Sequence, residues 1–437
     1  MKEIYLDNSA TTPLCAEAIA AMTEAMGTYG NPSSLHSLGL SAERLVSEAR
    51  TAVGNALGVR MLKPGQLIFT SCGTEATDLA LRGCAYAKAR RGTPKIVTTD
   101  SEHAATENIL RSLEADGFRV VRIATRGGVL DMAQVERELD AETVLVSMML
   151  VNNETGARYA LEKVFALAKQ RNPQVVTHCD AIQGFMKLRF TPASLGADLI
   201  SISAHKIHGP KGVGALYVSA DILKQRKLSP VLLGGGQEFG FRSGTENVLG
   251  IVGFGAAAKK AAASLDTATE KMRSLREYAL LKLSAMDVRL NVPLGEAAPH
   301  IINFTLPNIK SETMLHYLSG EGVFVSSGSA CSSHARTPSR ALTAFGLSAH
   351  DADCSMRVSL SVDNDESDID ALIERLRNGL SVLVRTKRCR VPTSTTLITR
   401  RNIRILRRSW QAIRGRSNLS ARVTSSRFRQ VLSPALL

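Results

Sequence analysis

The sequence has no CxxC pair and no HExxH segment, and its seven cysteines (15, 72, 84, 179, 331, 354 and 389) are odd in number and scattered. This pattern argues against a disulfide framework or a thiolate zinc site, and most of these cysteines are expected to be small buried hydrophobes. The nine histidines lack metal-ligand spacing too, so no protein-built metal site is expected. There is no run of 18 apolar residues, and the first residues, MKEIYLDNSATTP, lack a basic region followed by an apolar stretch. Secretion and membrane spanning are therefore disfavoured, and a cytoplasmic location is the expectation. Acids are missing from one region: residues 385–437 hold 14 of the 54 Lys+Arg and no Asp or Glu, which leaves 40 basic groups facing 40 acidic ones in the rest. The net charge of +14 thus belongs to the tail. With Trp410 and Phe428 as its only aromatics, the tail is too poor in rings for a base-stacking platform, and its composition predicts disorder.

What is present is ordinary for a soluble globular chain of two or three domains: 437 residues, 44% hydrophobic and 22% charged. SAERLVSEARTAVGNALG places Ala42, Leu45, Val46, Ala49, Val53, Ala56 and Leu57 at helical spacing, opened by Ser41 and closed by Gly58. Strand-like runs follow at LIFTS, KIVTT, VLVSMMLV, VVTHC and LISIS, with helical segments such as TEATDLALRGCAYAKARR and ALEKVFALAKQ between them. Repeated strand-helix units predict an α/β fold with a mostly parallel sheet, whose ligands bind at the carboxyl ends of strands. A helical stretch from roughly 249 to 286 leads to HIINFTL, SETMLHYLSGEG, a Ser/Gly-rich loop, MRVSLS and ESDIDALIERLRNGLSVLV, which reads as a second, smaller α+β domain ending near residue 384.

The chemistry collects at strand ends. In SAHKIHGPKG, Lys206 lies on a turn between the apolar runs DLISIS and VGALYV, and a connection this short requires the two strands, if paired, to be antiparallel. A lysine there is either a solvated charge or a Schiff-base amine. LIFTSCGTEAT runs from a strand into Gly73, Thr74 and a helix, offering backbone amides to an anion. VVTHCDAIQG sets Asp180 and Gln183 beyond another strand, SEHAATEN sets His103 after KIVTT, and VNNETG sets Asn153 after VLVSMML. Together they describe a site for pyridoxal 5'-phosphate: a phosphate cup, an acid for the pyridine nitrogen, a ring to stack and a lysine.

At this point the sequence resembles the cysteine desulfurases of the NifS/IscS type, in the class V aminotransferase fold. The resemblance spans roughly residues 3–380 and rests on YLDNSATTP, GNPSSLHSLG, TSCGTEAT, VNNETG, HCDAIQG, SAHKIHGPKGVGALY, RSGTENV and SSGSACSS in family order. It implies the fold of the aspartate aminotransferase-like transferases, with a large cofactor-binding domain at 15–258 and a small domain built from 1–14 and 259–384. It implies that Lys206 bonds covalently to the cofactor, that Gly73, Thr74, Ser203 and His205 hold the phosphate, and that Thr245 reaches the phosphate of the other subunit of a homodimer. Asp180 then partners the pyridine nitrogen, Gln183 the phenolic oxygen, and His103 stacks on the ring and moves protons. Asn153 and Arg357 bind the substrate carboxylate and its surroundings.

Cys331 lies in SSGSACSSHARTPSR, a small, polar, glycine-bearing segment that reads as an exposed loop in which a thiol can deprotonate, helped by His334 or Arg336 if the fold brings them near. The resemblance makes Cys331 the nucleophile that takes sulfur from L-cysteine as a persulfide, leaves L-alanine, and hands the sulfur to an acceptor protein for iron-sulfur cluster assembly or tRNA thiolation. The alternatives are a selenocysteine lyase or another class V aminotransferase, although transamination needs no loop cysteine. A non-enzymatic alternative is nucleic-acid binding through the tail. Cys72, Asp78, Ala160 and Ser361 depart from the family's common glycine, asparagine, proline and glycine, and none of them is a proposed catalytic group.

Overall fold

The structure is a computed structural model that describes residues 2–87, 93–328 and 339–383; Cys331, His334, Arg336 and the tail 385–437 lie outside these. The strands among them are β1 (Ile4–Tyr5), β2 (Leu67–Thr70), β3 (Lys95–Thr99), β4 (Arg119–Ile123), β5 (Thr143–Met149), β6 (Val176–Asp180), β7 (Leu199–Ser203), β8 (Gly214–Val218), β9 (Arg289–Leu290), β10 (Ile301–Thr305), β11 (Val323–Phe324), β12 (Ser326–Ser327) and β13 (Ser355–Ser359).

Seven of them form one sheet in the order β2-β8-β7-β6-β5-β3-β4. The run from β7 to β4 is parallel, while β8 is antiparallel to both neighbours. The short link through Lys206 makes the β7–β8 pairing antiparallel, as its length requires. Apart from the edge strand β4, the strands are buried almost throughout because both faces are covered, and short polar residues such as Thr98, Thr177 and Ser201 are buried among the apolar ones. Successive residues point to opposite cores: Ile96, Leu145 and Leu199 pack on one side with Leu79, Leu81 and Leu113, while Val97, Val146 and Ile200 pack on the other with Phe165, Phe185 and Phe254. All the parallel strands, and β2 with them, end at one edge.

A second, antiparallel sheet runs β12-β13-β10-β9 and has its own core, with Phe304, Met356 and Val358 against Leu280, Leu318 and Leu372. β1 pairs in parallel with β11, and Asp7 bridges to Ser359, so the first residues are tied to this sheet.

Three local readings need correction. The helix expected to open at Ser41 begins at Ser37, because the His36 side chain accepts from the Gly39 amide and supplies the cap five residues before Ser41. The helical stretch expected from 249 to 286 is two helices, Val248–Ala263 and Leu265–Leu283, bent by 74° at Ser264. β4 was not anticipated: it is an edge strand whose residues are only partly covered, so the sequence shows no sustained apolar run there. No single helix among the described residues is long and apolar enough to cross a membrane.

Candidate active site

The polar groups read from the sequence are brought to the carboxyl edge of the large sheet by the strands that precede them. Lys206 follows β7 on a single turn, and its Nζ donates to the carbonyls of Ser9 at 2.6 Å and Ala10 at 2.7 Å. Asp180 is the last residue of β6; its Oδ1 accepts from the Ile182 amide at 3.0 Å. Burial pushes the Asp180 carboxyl up to about 6, against the pull of the Ile182 amide and of Lys206. His103 caps the helix Ala104–Ala115, with Nδ1 accepting from the Ala105 amide at 3.2 Å. Burial, then Lys206 and Arg357, hold its pKa below the usual value, so the ring is neutral at pH 7.

The helix Gly73–Tyr86 starts directly after β2 with no side-chain cap at Cys72. Its first residue leaves little room for a side chain: a Cβ at Gly73 would lie 2.4 Å from Ile182 Cδ1 and 3.3 Å from Ser203 Cβ, so it would displace the end of the Ile182 side chain. Ser203, the end of β7, faces this turn with a buried Oγ that has no hydrogen-bond partner. His205 Nδ1 is 3.2 Å from Thr11 Oγ1, and burial, helped by Lys206 and Lys211, lowers its pKa to about 4. Gln183 Nε2 donates to the Ser9 carbonyl at 2.9 Å. The segment Ser9–Thr12 is therefore gripped by Lys206, Gln183 and the His205 turn together.

Arg357, on β13 of the smaller sheet, is 2% exposed. It donates from Nη1 to the Asn153 carbonyl at 2.9 Å, and from Nη2 to Asp7 Oδ1 at 2.9 Å and Ser326 Oγ at 3.0 Å; its buried Nε has no partner. Asn153, Asp180, His103, Lys206 and Arg357 thus form one neighbourhood. Thr245 stands apart from it, on an exposed loop lining a cavity of about 90 Å³ with Thr70, Ser71 and Arg242. The loop is anchored to its own subunit by Arg242–Glu75 at 2.8 Å and by Arg50–Glu238 at 2.7 Å. Cys331 lies outside the described residues.

The aminotransferase class-V family matches residues 4–372. The chain belongs to that family. Within it, the chain is 37% identical over 387 residues to the cysteine desulfurase IscS of Dictyoglomus turgidum, covering 86% of this chain and 96% of the relative. A solved NifS-like protein superposes with a TM-score of 0.80 at 34% identity, covering 87% of this chain and all of the other. A structure described as SspA in complex with cysteine superposes with a TM-score of 0.70 at 29% identity, covering 82% and 99%. These likenesses place this class-V chain among the cysteine desulfurases of the NifS/IscS type.

Three features of this class-V site escaped the sequence reading. Asp7, within YLDNSATTP, orients Arg357. Glu102, beside His103, is buried with Oε1 accepting from Thr99 Oγ1 at 2.7 Å and the Met149 amide at 3.0 Å; burial pushes its pKa up to about 8. Glu154, beside Asn153, accepts from Ser339. Two of these acids adjoin residues already singled out, which is the signal that could have found them.

Proposed function

We propose that the chain is a pyridoxal 5'-phosphate-dependent cysteine desulfurase that takes sulfur from L-cysteine as a persulfide on Cys331 and releases L-alanine. The observation that carries this reading is the single neighbourhood of Lys206, Asp180, His103 and Arg357, whose fields act on one another's protonation at the sheet edge.

The residues present fit the cofactor. The amide end of the helix at Gly73 and the orphaned Ser203 Oγ offer donors for a phosphate, and Gly73 keeps that cradle open. Asp180 would hold the ring nitrogen, Gln183 the phenolic oxygen, His205 and Thr74 would complete the phosphate contacts, and Lys206 would make the covalent link. When bound, the cofactor supplies an electron sink for the carbanion left by loss of the substrate's α-proton.

The chain's own residues do the rest. Arg357, aimed by Asp7, binds the substrate carboxylate with Asn153 at its side. Lys206, once released from the Ser9 and Ala10 carbonyls, takes the α-proton, and neutral His103 is able to accept or return one. Asp180, ionised above pH of about 6, keeps a proton on its partner nitrogen. Cys331 thiolate attacks the substrate sulfur; the new S–S bond forms as the C–S bond breaks, and the electron pair stays on carbon, which protonates to give alanine.

The exposed apolar side chains Ile19, Met26, Tyr29, Leu35, Leu38 and Leu40 are in keeping with a homodimer, in which Thr245 would reach the phosphate site of the other subunit. A cytoplasmic location and a sulfur-acceptor protein, an iron-sulfur scaffold or a tRNA-thiolation enzyme, complete the proposal. The test is Cys331→Ala assayed for sulfide release from cysteine: loss of release with cofactor absorbance retained is expected. Full activity would remove the thiol from the mechanism, and a wild-type protein without borohydride-sensitive visible absorbance would remove the cofactor.

A further inference from the structure

Glu154 joins two parts of the molecule that the proposed reaction must hold together. It follows Asn153 in the turn beyond β5, where the Asn153 carbonyl accepts from Arg357 Nη1 at 2.9 Å and the Glu154 carbonyl accepts from Asn303 Nδ2 of β10 at 3.1 Å. Its carboxyl Oε2 accepts from Ser339 Oγ at 2.6 Å. That hydroxyl has a second duty, accepting from the Leu342 amide at 3.2 Å as the cap of the helix Arg340–Phe345. The next residue, Arg340, is ion-paired with Glu107 of the helix Ala104–Ala115. Ser339 stands eight residues beyond Cys331 in the chain. Where the backbone returns from that segment, it is tied to the edge of the large sheet by one hydroxyl and one carboxyl.

We propose that Glu154 is a positioning residue of the desulfurase reaction: through Ser339 it fixes the chain that returns from Cys331 relative to Asn153 and Arg357, and its charge sets how firmly. The inference rests on the function proposed above. Serine can donate to either form of the acid, but a hydrogen bond to a carboxylate is roughly twice as strong as one between neutral groups. Burial raises the Glu154 pKa to about 7, against the Ser339 hydrogen bond and the Arg357 field that lower it. Of the charged groups around it, Arg357 is shared with Asp7 and Arg340 is held by Glu107, while Ser339 and Asn303 are neutral. The tie therefore tightens as pH rises through about 7.

Glu154→Gln keeps the length of the side chain and an acceptor for Ser339 but cannot ionise. With kcat and KM for alanine formation measured from about pH 6 to about pH 9, the wild-type kcat is expected to rise through about pH 7. The variant should lack that rise, ending roughly five- to tenfold below wild type at the alkaline end with KM moved less than about twofold, the size of one charge-assisted hydrogen bond. Ser339→Ala, which removes only a hydroxyl, should give a similar loss, and the double variant should lose little more. A readout without turnover is the rate at which iodoacetamide alkylates Cys331 in the cofactor-loaded protein, whose pH dependence should differ between wild type and Glu154→Gln by more than the thiol's own titration, common to both. A Glu154→Gln variant that keeps the wild-type rise, or single losses that multiply as independent effects, would overturn the proposal. Cys331→Ala separates the two levels: if it stays fully active the functional reading has failed, whereas an inactive Cys331→Ala beside an unaltered Glu154→Gln defeats the positioning role alone.

Discussion

The two edges of the large sheet carry the same kinds of residue and treat them differently. At the amino edge, charged groups close on one another: Lys95 pairs with Asp140, and Lys169 donates to Asp198 and to the Val175 carbonyl, while Asp198 also accepts from the Thr177 amide. At the carboxyl edge, Asp180 and Glu102 have no paired base among the described residues, their pKa values rise to about 6 and about 8, and Ser203 Oγ, like Nε of Arg357 from the smaller sheet, is buried without a partner among them. Leaving such groups unmatched costs stability, and a fold keeps them where a ligand or a reaction uses them. The difference supports the carboxyl edge as the place of the proposed reaction.

The largest effect that sharpens this contrast compares one lysine from each edge. Lys206→Ala is expected to lower kcat/KM by about a thousandfold or more, since it removes the amine assigned to covalent bonding and proton transfer, while the unfolding midpoint falls only by what the contacts to the Ser9 and Ala10 carbonyls contribute. At the other edge, Asp140→Ala leaves the Lys95 ammonium, 2% exposed, without its ion-pair partner. Because Asp140 is itself half exposed, the cost is set at about 1–3 kcal/mol in urea unfolding, with kcat unaffected. Loss of activity in the amino-edge variant at full stability would break the comparison.

Much of this edge was legible in the sequence because strand ends are marked by short apolar runs, and the polar residue after each run lands on a predictable side. Lys206, Asp180, His103 and Asn153 were placed in this way. Contacts that depend on the second sheet were not legible. Nothing local in YLDNSATTP announces that Asp7 will meet Arg357, 350 residues away, or that Glu154 will meet Ser339. The same holds for Arg50, sandwiched by Phe69 and Phe239 while pairing with Glu238, whose left-handed φ of 47° no residue pattern suggests. Local misreadings had local causes: His36 is a weak cap to read from sequence, and β4 is an edge strand carrying Arg119 and Arg122.

A middle-sized effect concerns the pH dependence of the cofactor-free protein. Burial raises Asp180 from an ordinary carboxyl value to about 6, so between roughly pH 4 and pH 6 the folded state holds a proton that the unfolded chain releases. Its contribution is fully present below the unfolded pKa and is lost as pH rises through about 6. Asp180→Asn removes that loss. The variant is expected to be more stable than wild type by about 2 kcal/mol at pH 7, with the gain vanishing below about pH 4, as measured by urea unfolding at several pH values. The same substitution should lower kcat about a hundredfold or more in the loaded enzyme, because an amide does not hold a proton on the partner nitrogen. A stabilised but slow variant is the signature of a group kept for chemistry; an Asp180→Asn that is both less stable and slow would make Asp180 a structural residue like Asp198.

The smallest effect sets the scale for ion pairs that belong to neither edge. Arg189 and Asp266 meet at 2.6 Å, yet their side chains are 70% and 75% exposed. Two side chains held in water gain little from attraction at high dielectric and lose rotamer freedom, so Asp266→Ala should leave both the urea unfolding midpoint and kcat unchanged. The contrast with Lys95–Asp140 is one of burial, since both pairs are short and monovalent. A cost for Asp266→Ala equal to that for Asp140→Ala would mean that charge pairing alone stabilises this fold, and the amino edge would then owe nothing to having its lysine withdrawn from water.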